Sequence, residues 1–195
     1  MAPRRLHLTP GDYRRMPWKN GGGSTTEILV EPRPRGEGFL FRLSSAEVTA
    51  DGPFSDFSGY VRTLLLLRGH GLELDFEEAP SLRLARLFEP VVFDGAWHAS
   101  GRLVSGPVLD LGLIATREAG ASLSMLPLAA GDRVTRPLAP TTVVHVVEGR
   151  LVVDGDPLTS GDTLRIADDL PGHVALSAEG PVVAVWIAIA CPRGE

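Results

Sequence analysis

Two apolar hairpins in this chain repeat each other, and the segments after them repeat as well. LLLLRGHGLEL, from Leu64 to Leu74, and VHVVEGRLVV, from Val144 to Val153, each carry an apolar strand into a glycine turn and back. A histidine comes next, His98 or His173, and then a matching segment, GPVLDLGLIA from Gly106 or GPVVAVWIAI from Gly180. Three parts recurring in one order at similar spacing point to an internal duplication. Within each copy, glycine and proline (22 and 16 in the chain) punctuate short apolar or alternating runs, as in an all-β sandwich or barrel. The expected fold is all-β: two jelly-roll β-barrels, residues 1–118 and 119–195, folding as one compact unit.

Local patterns agree with that frame. Thr25 to Val30 has the β-branched content of a strand. Phe39 to Val48 alternates, with Phe39, Phe41 and Leu43 on one side and Arg42 and Ser44 on the other. Leu72, Leu74 and Phe76 alternate with Glu73, Asp75 and Glu77 on the return arm of the first hairpin. Only Ala79 to Leu87, with Pro80 at its start, reads as a short helix.

Ahead of the first copy lies Met16-Pro17-Trp18-Lys19-Asn20-Gly21-Gly22-Gly23-Ser24-Thr25-Thr26-Glu27-Ile28. Serial glycines cost folding entropy and suit backbone that bends sharply or is closely approached. Two readings stand: a ligand-lined turn, or a glycine-rich connection ahead of a strand. Arg42 and Arg62 lie in apolar strands, where an unpaired charge is costly to bury. Each must reach a pocket mouth or pair with Asp110, Glu27 or Glu47.

Several functions are disfavoured. A net charge of −5 lacks the basic footprint of a nucleic-acid binder. The apolar run from Val182 to Ala190 is too short to span a membrane, and the first residues show no signal-peptide core. One cysteine, Cys191, makes no internal disulfide, so the expected compartment is the cytoplasm. Metal-binding barrels of this type place two close histidines and a carboxylate before the hairpin, but Asp51 to Thr63 and Leu126 to Val144 contain no histidine. His145 and Glu148, three apart on a strand, face opposite ways. No metal or other cofactor is expected, and His98 and His173 read as structural. Nucleophile-elbow and phosphate-loop motifs are missing. The acidic pairs Asp168-Asp169 and Glu77-Glu78 read as solvated.

PWKNGGGSTTEI (Pro17 to Ile28), FRLSSAEVTADGPFSDFSGYVRTLLLLRG (Phe41 to Gly69) and SGPVLDLGLIATR (Ser105 to Arg117) together resemble the HutD/Ves family of bicupin proteins. Order and spacing agree over about the first 117 residues; the second half matches only as a generic cupin hairpin. The resemblance implies a cytoplasmic bacterial protein tied to histidine utilisation or stress responses, with no established catalytic activity. It implies a non-catalytic role: binding a small carboxylate such as formylglutamate in the N-terminal barrel. Lys19, Arg42 and Arg62 would supply charge, with Asn20 and the amides of Gly21 and Gly22 as donors. Trp18 would wall the pocket, Glu27 orient a cation, and Ser44 and Ser55 add hydrogen bonds. A homodimer stays open, since the strands of the second half could bury an interface as easily as line a pocket. The alternative is a metal-independent isomerase or hydrolase using Lys19 or Glu27 as acid or base; a third reading is an interaction module. Phe41, Thr26, Val61 and Gly112 depart from the family pattern and point to altered specificity. Thr26 and Val61 read together as one lost ion pair.

Overall fold

The computed structural model describes residues 4–33, 35–167 and 172–191. The chain divides into two compact units, and among the described residues all the regular structure in both is β apart from two single 3-10 turns. One unit is Tyr13–Arg117; the other runs from Glu118 onward and also takes the first twelve residues.

The Tyr13–Arg117 unit has a large sheet whose strands lie in the order Arg14–Pro17, Gly23–Pro32, Phe39–Val48, Val108–Thr116, Tyr60–Arg68, Val91–Asp94. Its smaller sheet is ordered Gly52–Pro53, Ala99–Leu103, Leu72–Phe76, Leu82–Leu84. The other unit repeats this topology. Ala121–Leu128, Val182–Ile189, Thr141–Glu148 and Thr163–Ala167 stand where Phe39–Val48, Val108–Thr116, Tyr60–Arg68 and Val91–Asp94 stand in the first. Its smaller sheet, Arg133–Pro137, His173–Ala178, Arg150–Val153, Asp156–Thr159, matches strand for strand. The bicupin expectation therefore holds at the level of pairing. His98 and His173 both stand at the head of the corresponding strand of the small sheet.

Both hairpins turn on a glycine for the same steric reason. Gly69 and Gly149 have φ of +110° and +89°, and a side chain on either would strike the carbonyl oxygen of Pro107 or Pro181, the proline of each GPV segment. The duplicated sequence thus preserves a backbone approach as well as an apolar pattern.

Two sequence expectations are corrected. Ala79 to Leu87 is not a helix: Leu82–Leu84 pairs antiparallel with the Leu72–Phe76 strand. Leu82 and Leu84 alternate with Ser81 and Arg83, and that period of two outweighs the proline start. The first twelve residues do not belong with the leading barrel, because Arg5–Leu8 adds an edge strand beside Thr163–Ala167. Arg5 is held there by Asp154 at 3.1 Å and Asp156 at 3.2 Å.

The central strands Val108–Thr116 and Val182–Ile189 are buried along nearly their whole length, which explains their near-continuous apolar runs. In the first unit Val48, Leu64, Leu66, Phe93 and Val108 face the barrel interior, joined by Leu72, Leu74 and Leu84 of the small sheet. Phe41, Leu43, Leu65 and Leu111 are buried as well. At about 1.5–3 kcal/mol per large apolar side chain, this is where the fold draws its stability. Among the described residues no helix is long and apolar enough to cross a membrane.

Candidate functional site

The interior of the Tyr13–Arg117 barrel is not filled. A cavity of about 420 Å³ opens where Phe39–Val48, Val108–Thr116 and Tyr60–Arg68 turn polar side chains inward. Arg42, Ser44 and Ala46 alternate along the first of these, Asp110, Gly112 and Ile114 along the second, and Arg62 and Leu64 along the third. The register sets them level: Arg42 pairs with Ile114 and Ile114 with Arg62, while Ser44 pairs with Gly112 and Gly112 with Leu64. Two guanidinium groups therefore flank one position of the central strand.

The glycine run shapes the rim. Arg14–Pro17 and Gly23–Pro32 pair as a hairpin, and Trp18 to Gly22 make its loop. The Trp18 amide donates to the Gly23 carbonyl, the Gly21 amide to the Trp18 carbonyl, and the Gly22 amide to Asn20 Oδ1. Gly21 sits at φ +74°. Gly23 is needed for a different reason: a side chain there would collide with the Glu47 carbonyl and press on the Trp18 ring. Packed on Gly23, the indole donates from Nε1 to Thr25 Oγ1 at 2.8 Å and joins the cavity wall. Lys19, exposed, and Asn20 line the mouth.

Of the residues singled out from sequence, Trp18, Lys19, Asn20, Arg42, Ser44, Ser55 and Arg62 come together on the cavity wall. Gly21, Gly22 and Glu27 do not. The two glycine amides are used inside the turn, so their role is to bend the loop that carries Trp18 and Lys19. Glu27 lies behind Arg42, its Oε2 3.0 Å from Arg42 Nε, although the angle falls short of a hydrogen bond. It acts as a counter-ion that fixes the guanidinium from the rear.

Arg62 is held more firmly. Its guanidinium lies over the rings of Phe54, Phe57 and Phe93, with centroids at 5.1, 5.3 and 5.1 Å. Nη1 donates to the Ser55 carbonyl at 3.2 Å. Cation–π contact with three rings orients the group at little entropic cost. Burial lowers its pKa to about 10, with Asp110 opposing the shift and Arg42 adding to it. The rings of Phe54 and Phe57 ride on the 54–59 loop, fastened by Phe54 N to Ala99 O and Phe57 N to Gly95 O. Gly95 and Gly101 make room for that loop, since side chains there would strike Phe57 and Phe54.

Asp110 is the residue that sequence reasoning placed only as an ion-pair partner. It is 3% exposed, accepts from the Ala46 amide, and leaves Oδ2 with no partner. Burial raises its pKa to about 7 against the pull of Arg62 and the Ala46 amide. The signal was present: a lone aspartate in the apolar strand VLDLGLIA. Phe54, Phe57 and Phe93 carried no such signal, since aromatic residues read as core.

The second barrel supplies an internal comparison. By register, Arg42, Ser44, Ala46, Arg62, Asp110 and Gly112 correspond to Ser122, Ser124, Leu126, Thr142, Ala184 and Trp186. Trp186 fills the space that Gly112 leaves open, packed with Leu126, Val144 and Ala184 in an apolar core. Among the described residues none of these six counterparts is charged, and the Arg136 guanidinium lies over the Trp186 ring at 5.3 Å.

Thr26 and Val61 do not mark one lost ion pair. Their strands are three positions apart in the sheet, roughly 14 Å, and the two residues are also offset along the strands. Phe41 is buried on the sheet face away from Arg42, and Gly112 lines the cavity.

Among the described residues the cavity wall offers one carboxylate, Asp110, and no histidine or cysteine, too few donors for a transition metal. Glu77, Glu78 and His98 bring potential ligand atoms within 4.8 Å of one another, but at an exposed surface. There a hydrogen bond from His98 to Glu78 raises the His98 pKa. His145 is buried, bonded to Thr163 Oγ1 at 2.9 Å, with its pKa lowered by burial to about 4. Asp168-Asp169 lie outside the described residues.

A profile of the HutD family matches residues 11–184. An uncharacterised 21.2 kDa protein in the hutC 3′ region of Pseudomonas putida is 42% identical over 107 residues, 55% of this chain and 56% of that one. The match spans about half the length of the curated relatives. Among solved structures, a conserved protein of unknown function from Pseudomonas aeruginosa PAO1 is 32% identical, with TM-score 0.83 over 95% of this chain and 98% of that chain. HutD from Pseudomonas fluorescens SBW25, solved in a formate condition, is 30% identical, with TM-score 0.78 over the same shares. The profile covers most of the chain and the structural likeness extends through both barrels, so the chain belongs to the HutD family.

Proposed function

We propose that the leading barrel binds a small carboxylate metabolite, formylglutamate-like in size and charge, without turning it over. Through that binding the protein would modulate histidine utilisation. The observation that carries this reading is the pair of inward guanidinium groups, Arg42 and Arg62, on a hollow whose counterpart in the second barrel is plugged by Trp186. Arg62 is oriented before any ligand arrives, so little entropy is lost on binding. Lys19 at the mouth adds charge where an anion enters. A relative in a hutC 3′ region fits the pathway.

Thermal shift against formylglutamate, urocanate, glutamate and formate tests it, since a ligand of the folded state stabilises by mass action. A shift with at least one of them, reduced in Arg62→Met and Lys19→Ala, is expected. No shift with any of them would sink the reading.

One observation favours a second reading. A buried carboxyl near pKa 7 beside a cavity is suited to proton transfer, which would make Asp110, rather than Lys19 or Glu27, the acid–base group of a metal-independent isomerase or hydrolase. Turnover of any of the same compounds, abolished in Asp110→Asn, would establish it.

A further inference from the structure

The cations of the cavity account for the anionic end of a ligand; they leave Asp110 unexplained. Asp110 Oδ2 is a buried acceptor on the cavity wall with no partner, and such an atom costs stability unless something donates to it. The guanidinium of Arg62 does not serve. It uses Nη1 on the Ser55 carbonyl and is held against three phenylalanine rings. The Ala46 amide already donates to the Asp110 carboxyl. Nor is Asp110 needed by the fold, because the corresponding position of the second barrel is Ala184, packed in an apolar core.

We infer that Asp110 reads a neutral hydrogen-bond donor on the ligand, an amide N–H or a hydroxyl set beside its anionic group, and so selects substituted dicarboxylates over bare ones. This rests on the carboxylate-binding reading above. A neutral donor fits better than a cationic one. Arg42 and Arg62 share the hollow, and two like charges already stand on its wall, so a third positive group would add to their repulsion. Gly112, two residues from Asp110 on the same inward face, has no backbone reason to be glycine: a Cβ would meet Leu64 Cδ1 at 3.5 Å and Ser44 O at 3.9 Å, ordinary contacts. The room left there is where a substituent would lie.

The test is calorimetric titration of the full chain with three probes: glutarate, N-acetyl-L-glutamate and 2-hydroxyglutarate. Wild type should bind at least one donor-carrying probe about tenfold or more tighter than glutarate, the worth of a hydrogen bond to a charged, buried acceptor. In Asp110→Ala, which copies Ala184, the preference should vanish, the ratio of donor-probe to glutarate affinity falling to about one whichever way the lost charge moves anion affinity as a whole. Asp110→Asn serves as a second variant of unchanged shape and should weaken the preference. Equal affinity for all three probes in wild type, or a preference that survives Asp110→Ala, overturns the inference and leaves carboxylate binding standing. No binding of any probe, glutarate included, overturns both.

Discussion

Replacing Asp110 by asparagine should stabilise the protein in a way that depends on pH. The carboxyl is buried, and folding raises its pKa from 3.8 to about 7. Below pH 3.8 the group is protonated in folded and unfolded chains alike, and its charge costs nothing. Between 3.8 and about 7 the unfolded chain ionises first, so the wild type loses stability as pH rises. Above about 7 both states are ionised and the loss is complete. At about 1.4 kcal/mol per tenfold step, that span caps the effect near 4 kcal/mol, and water entering the cavity lowers it to about half in practice. The asparagine side chain cannot ionise and escapes the loss altogether. Urea denaturation of both proteins at intervals from about pH 4 to pH 8 should show the gap in stability opening toward neutrality and then levelling. Any constant offset reports the other consequences of the exchange, including the lost attraction for Arg62. A gap that stays flat across the range, or closes as pH rises, would refute a buried carboxyl held near neutrality.

Three further outcomes rest on the same geometry. Gly112→Trp, copying Trp186, should leave the fold intact by circular dichroism and abolish the ligand-induced thermal shift, because the indole occupies the hollow. Gly23→Ala should lower the melting temperature well beyond Gly22→Ala, by an amount equivalent to about 2 kcal/mol or more; only the former collides with Glu47. Because burial lowers the His145 pKa from 6.5 to about 4, this residue's contribution to stability is present above pH 6.5 and is lost as pH falls toward 4. His145→Gln should remove that acid dependence in denaturation curves, and an unchanged slope would count against it.

The architecture was legible because duplication leaves two independent traces of the same constraints. Gly69 and Gly149 each stand against the proline carbonyl of their own GPV segment, so hairpin and later strand had to recur together. The alternation of Arg42 and Ser44 against Phe41 and Leu43 put the two polar residues together on one face of their strand, and that face lines the cavity. Other features are invisible along the chain. The pairing of Arg5–Leu8 with Thr163–Ala167 is a contact of very high sequence separation, with no local pattern to announce it. In Leu82–Leu84 the alternation spans three residues, too short a run to be told from a helix start along the chain; its pairing with Leu72–Phe76 decides it. In the glycine run, chemistry suggested amides free for a ligand, whereas hydrogen bonding within the turn consumes them. The phenylalanine cage of Arg62 joins a loop and two strands, and nothing in Phe54, Phe57 or Phe93 taken singly distinguishes cage from core.

The most direct measurement is a crystal structure grown with formylglutamate. A carboxylate should lie between the guanidinium groups of Arg42 and Arg62, inside the Tyr13–Arg117 barrel, with Trp18 at its side. Density for the ligand anywhere else, or an empty hollow at saturating concentration, would contradict the account.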